Sequence, residues 1–134
     1  MGMIGQFTPA LRTIADVRPF RCVKIADRGE CDLADATDVD SVIGVTDGSN
    51  RRFDDEDHAN NGEPVRLQPG TIVLAEAGET ISAPQLLRCG VGGMVYEVDD
   101  ASDIVLGQAL EDATAANQII RIWLNPDNLE QTVV

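Results

Sequence analysis

The stretch Arg51-Arg52-Phe53-Asp54-Asp55-Glu56-Asp57-His58 holds the residue types of this sequence that come nearest to a catalytic or metal site. A calcium loop of the EF-hand kind sets acids at alternate positions around a central glycine, with a distant glutamate. Here four acids are consecutive, and no glycine follows until Gly62. An acid/base pair of carboxylates needs two environments that push their pKa values apart, and adjacent solvated acids do not supply them. The stretch therefore reads as an acidic surface loop, with a loose cation site as the alternative. His58 is the single histidine, so any Ser-His-Asp or Cys-His arrangement would have to pass through it, and its place beside Asp57 argues for exposure.

The other constellations read as structural. Asp99, Asp100 and Asp103 mirror Asp35, Asp38 and Asp40, and aspartates at turns bond the local backbone without an ion. Gly90-Val91-Gly92-Gly93 precedes a strand pattern and no Lys-Ser or Lys-Thr follows, so it is a turn and not a phosphate loop. Cys22, Cys31 and Cys89 show no metal-ligand spacing and read as small core residues. Aromatic side chains are too few for a sugar or single-strand binding platform. Trp123 reads as core, with an anchor at a subunit interface as its alternative. No catalytic group and no cofactor is expected.

The elements that carry these residues are short strands. Met94, Tyr96 and Val98 alternate with Val95 and Glu97, and Ile120, Ile122 and Leu124 alternate with Ile119, Arg121 and Trp123, the period of two of a pleated strand. The stretch from Leu110 to Asn117 is expected to turn as a hairpin. Gln68-Pro69-Gly70-Thr71 and Glu76-Ala77-Gly78-Glu79 are turn signatures flanking Ile72-Val73-Leu74, which suggests a connecting hairpin.

A duplication runs through this pattern, with one copy over about 20–68 and a second over 87–124. Arg21-Cys22 falls on Arg88-Cys89, Asp35-Ala36-Thr37-Asp38 on Asp100-Ala101-Ser102-Asp103, Val42-Ile43-Gly44-Val45 on Val105-Leu106-Gly107-Gln108, and Val65-Arg66-Leu67 on Ile120-Arg121-Ile122. The offset shrinks along the chain because loops tolerate insertion cheaply while strands keep their order. A mainly β fold follows, a compact barrel or sandwich with at most one or two short helices. Residues 1–19 are expected to form an N-terminal arm, either extended or helical through Ile4, Phe7, Leu11 and Ile14, residues 20–124 the β domain, and residues 125–134 a tail.

At 134 residues, 43 % of them hydrophobic, the chain is long enough for one cored domain. Its 23 acids against 10 bases give a net charge of −13. That field repels polyanions, so neither nucleic acid nor an anionic membrane surface is an expected partner. The sign is uneven: residues 1–30 hold five bases and three acids, a net of +2, and the remainder sums to −15. No apolar run approaches a membrane span and no secretory signal pattern opens the chain, so synthesis and use from the cytoplasm are expected.

Taken together, Ile43-Gly44-Val45, Gly62-Glu63-Pro64-Val65-Arg66-Leu67 before Pro69-Gly70, and Leu106-Gly107-Gln108-Ala109-Leu110 before Ile119 to Leu124 resemble the decoration or cement proteins of tailed-phage capsids. The resemblance covers roughly residues 20–124. It implies a compact β domain, often a homotrimer, seated on the outer surface of the virion head, whose arm or loops grip neighbouring subunits of the major capsid protein, and it brings no catalytic residue. On that reading the contact candidates are Ile4, Phe7, Leu11, Arg12 and Arg18 in the arm, Arg51, Arg52 and Phe53 in the insertion of residues 47–61, and Trp123. An acidic β module that binds a cation or a glycan is the other reading.

Overall fold

The computed structural model describes residues 11–14, 17–34, 42–48, 64–100, 103 and 105–124. Among them are ten strands: β1 (Leu11–Thr13), β2 (Cys22–Asp27), β3 (Glu30–Leu33), β4 (Val42–Val45), β5 (Pro64–Val65), β6 (Ile72–Glu76), β7 (Leu86–Cys89), β8 (Val95–Glu97), β9 (Gly107–Ala109) and β10 (Ile119–Leu124). The one helical element there is a 3-10 turn, Val91–Gly93, between β7 and β8. Two five-stranded sheets result, in the orders β4-β2-β3-β1-β5 and β6-β10-β9-β7-β8.

The two sheets are built alike. Val23 pairs with Leu33 and Gly44 in the first, and Leu87 with Glu97 and Gly107 in the second. Leu11 pairs with Val65, and Ala75 with Ile120. Thr13 lies parallel beside Cys31, and Ala77 parallel beside Val95. Thr46 bridges Leu67, and Ala109 pairs with Ile122. Single hydrogen bonds recur as well: Ala34 N–H donates to the Cys22 carbonyl at 3.1 Å and Val98 N–H to that of Leu86 at 2.9 Å. Asp47 N–H to Arg66 and Leu110 N–H to Arg121 are both 3.0 Å.

These pairings correct the expected alignment at its first anchor. Val23 corresponds to Leu87, so Arg21 corresponds to Gln85 and Lys24 to Arg88; the Arg-Cys match was three residues out of register. Gly44 with Gly107 and Leu67 with Ile122 do correspond, as the sequence match has them. The repeated unit also begins earlier than expected, because β1 matches β6. Leu11–Thr13 is therefore a paired strand and not part of an arm or helix, while residues 1–10 lie outside the described residues. Ile72–Leu74 belongs to the first strand of the second sheet, where it pairs with β10, and is not a connecting hairpin.

In neither sheet does a full ladder join the outer strands. The bridges Thr46 to Leu67 and Ala77 to Val95 bring those edges together at single points. Each sheet thus curls strongly, and the two pack in a sandwich-like arrangement. The first unit encloses Val17, Val23, Cys31 and Val65, flanked by Leu11, Leu33 and Leu67. The larger core lies inside the second unit, with Val73, Ala75, Leu87, Val95, Ile120 and Ile122. Cys22, Ala34, Val42 and Val45 of the first unit complete it, so the outer face of one sheet closes the interior of the other. Each buried Val, Leu or Ile contributes about 1.5–3 kcal/mol of transfer free energy, which makes this shared core the main adhesive between units.

Local chemistry explains the turns. Gly29 at φ 72° lets β2 and β3 form a tight hairpin, and the Asp27 carboxylate accepts the Arg28 N–H at 2.7 Å. Gly70, φ 83°, serves the expected Gln68–Thr71 turn. Residues 110–118 join β9 to β10 as an antiparallel hairpin, as expected, with Asn117 in the left-handed region.

Candidate interaction surface

The strand β10 alternates strictly: Ile120, Ile122 and Leu124 point inward, and Ile119, Arg121 and Trp123 outward. Trp123 stands opposite Ile72 on one side and Gln108 on the other, and Gln108 stands opposite Leu86. Ile72, Trp123, Gln108 and Leu86 therefore form one row across four strands. Ile72 is 61 % exposed, Trp123 37 % and Leu86 38 %, and Leu74, Leu110 and Ile119 lie exposed nearby. A soluble surface seldom gathers so many large apolar side chains on one sheet face unless the face has a partner. Arg121 crosses it with its Nε 3.3 Å from Glu111. The Arg121 backbone N–H also donates to the Glu111 carboxylate, at 2.7 Å, and these hydrogen bonds hold its pKa below the usual glutamate value.

A buried polar link sits farther along the same sheet face, where the units meet and Glu76 stands directly opposite Ile119. Arg21 Nη2 is 3.2 Å from Glu76 Oε2, with the two side chains 9 % and 11 % exposed. Arg21 Nε donates to Glu76 Oε1 at 3.4 Å and Nη1 to the Gly92 carbonyl at 2.9 Å. Asn117 Nδ2 donates to Glu76 Oε2 at 2.8 Å. Gly93 lies against the Cys22 backbone, and a Cβ there would stand 2.8 Å from the Cys22 carbonyl oxygen. The Cys22 thiol bonds to that of Cys89, which with burial raises its pKa well above the ordinary value. All three cysteines are buried and free.

The candidate residues from the sequence fall into three groups. Ile4, Phe7, Arg51, Arg52 and Phe53, with the acids from Asp54 to Asp57 and His58, lie outside the described residues. Leu11 packs against the interior of the first unit. Arg12 and Arg18 are exposed on the first unit, far along the chain from Trp123, which faces outward on the second. Sequence reasoning missed the row around Trp123 because both faces of β10 are apolar. It also missed Arg21 as a buried ion-pair partner, although a lone arginine between Phe20 and Cys22-Val23 is a signal of one.

The acids near Arg88 behave as turn residues. The N–H groups of Asp99 and Asp100 both donate to Asp103 Oδ2 at 3.2 Å. Asp103 Oδ2 lies 3.6 Å from Arg88 Nε, an ion pair too long for a hydrogen bond, and the guanidinium sits 5.1 Å over the Tyr96 ring. Among the described residues no group of three or more His, Cys, Asp or Glu is placed to hold a metal ion, and no helix is long and apolar enough to cross a membrane.

The two-unit fold recurs in a solved phage structure. The chain superposes on the head fiber gp8.5 N base of bacteriophage phi29 with a TM-score of 0.68 and 21 % sequence identity, covering 91 % of this chain and 96 % of that one. Coverage on that scale spans both sheets, so their mutual packing is part of what the two proteins share. At this identity the likeness is one of fold. No protein-family model matches the chain, and no curated protein does.

Proposed function

We propose that this protein is a structural component of a tailed-phage head, bound to the outer surface of the capsid, where it decorates the shell and strengthens it by bridging subunits of the major capsid protein. The observation that carries this reading is the likeness to the phi29 head fiber base over nearly the whole of both chains. Its chemistry is that of a binding protein. The described carboxylates of Asp27, Asp99, Asp103 and Glu111 serve turns and ion pairs, and the exposed apolar row of β6, β10, β9 and β7 offers contact area. A head filled with DNA pushes outward, and each bridging contact of ordinary size, about 1,200–2,000 Å², must be lost before the shell opens. Assembly as a homo-oligomer, a trimer above all, belongs to the same proposal.

Mixing the purified protein with undecorated heads of the phage that carries it, followed by sedimentation, tests the reading. Saturable co-sedimentation is expected, together with a higher temperature of DNA release from filled heads. Heads that pellet without the protein would refute it.

A further inference from the structure

The exposed row on the second unit has a counterpart on the first whose covering is visible. Through the strand pairings, Leu86 corresponds to Cys22, Gln108 to Val45, Trp123 to Gln68 and Gln85 to Arg21. On the first unit that face is closed by the second. Cys22 and Val45 are fully buried in the second unit's core. Gln68 exchanges hydrogen bonds with the backbone of Leu74 at 2.6 and 2.8 Å. Arg21 reaches Glu76 and Gly92.

The parts of the second unit that make this closure are Cys89, Gly92, Gly93 and Glu76. Their counterparts on the first unit, Ile25, Arg28, Gly29 and Arg12, are all exposed. Ile25 is 50 % exposed. Gly93 and Gly29 share the left-handed conformation, φ 78° and 72°, but a Cβ on Gly93 would strike Cys22, whereas one on Gly29 meets nothing within 4 Å. The chain thus presents to solvent both halves of a contact that it already makes once internally.

We infer that a second copy of this chain docks head to tail: its first unit, through the β2–β3 hairpin and Arg12, covers the Leu86, Gln108, Trp123 and Ile72 face of the second unit as the second unit covers the first. The chemistry matches position by position. Where two small thiols meet inside the chain, Ile25 meets Leu86, two larger apolar groups. Where Arg21 donates to the Gly92 carbonyl and to Glu76, Gln85 donates its amide N–H to the Arg28 carbonyl and accepts from the Arg12 guanidinium. A heterologous contact of this kind builds a ring if its rotation closes and a string if it does not. The inference stands apart from the capsid reading, and its test contains no heads.

Light scattering after size exclusion should show a mass that rises with concentration, and emission from Trp123, the single tryptophan, should shift to the blue as the ring is covered. Trp123→Glu removes one half of the contact and Ile25→Glu the other, and each should weaken association by at least about tenfold. Because the halves differ, mixing the two variants restores one good contact and yields 1:1 pairs and nothing larger. Ile72→Glu, at a more exposed position, repeats the test should Trp123→Glu lower the melting temperature. A wild-type protein still monomeric at about 1 mM would overturn the inference. So would either variant associating like wild type, or a mixture that forms no pairs.

Discussion

Arg21 and Glu76 join the two units inside the protein, so replacing Arg21 with Met leaves a carboxylate at the junction with the Asn117 amide as its remaining described side-chain donor. Removing one partner of a buried pair costs about 3–5 kcal/mol, because the other must either stay desolvated or drag water into the interface. The Arg21 backbone N–H keeps its bond to Thr46 Oγ1 at 3.1 Å, so the loss is confined to the side chain. For a domain of this size each kcal/mol moves Tm by roughly 3–5 °C, which sets the expected drop at about 10–25 °C. The double variant Arg21→Met/Glu76→Leu replaces both charges with apolar groups of similar volume and should return to within about 1 kcal/mol of wild type. Thermal melts and urea titrations of the four proteins in the cycle measure the coupling. A single variant that costs under about 1 kcal/mol, or a double variant whose loss equals the two single losses added, would refute this account of the junction.

Other outcomes follow from the same geometry. Gly93→Ala should destabilise by clearly more than Gly29→Ala, since both incur the left-handed penalty of about 1–2 kcal/mol but only the first drives a methyl into the Cys22 carbonyl; paired urea melts compare them. The buried thiols, with that of Cys22 raised by its bond to Cys89 and by burial and that of Cys31 raised by burial, should resist a thiol reagent near neutral pH and all react once urea unfolds the chain. In a carboxyl NMR titration Glu111 should lose its charge at lower pH than an unperturbed glutamate, and Arg121→Ala should move it only part of the way back up, because the backbone N–H at position 121 still donates to the carboxylate. The folded value being the depressed one, its small contribution to stability is present above the unfolded pKa and fades as pH falls through the folded one.

Much of the β architecture was legible because its signals are local. The alternation in β10, the Pro69-Gly70 turn and the matches Gly44 to Gly107 and Leu67 to Ile122 survive because strand period and turn chemistry are written in adjacent residues. The repeat's true start was not. Leu11-Arg12-Thr13 and Ala75-Glu76-Ala77 share no residue type, and their equivalence lies entirely in which strands they pair with. The Arg-Cys coincidence misled for a related reason, since two identical residues carry no information about register, which is set across strands. The exposed row around Trp123 was hidden differently. With isoleucine on both faces of β10, the sequence offers no sign of which face turns inward, and only the packing of the first unit beneath it decides.

The unequal cores give the chain a direction in time. Among the described residues, those that fill the first unit's interior come from positions 11–67, so that core is available before the second half has left the ribosome. The second unit must wait for a template, because Cys22, Ala34, Val42 and Val45 already form one wall of the space that it fills. Synthesis from the N terminus therefore delivers the mould before the casting. A fragment of residues 71–124 made alone would emerge with that wall missing and its apolar lining open to water.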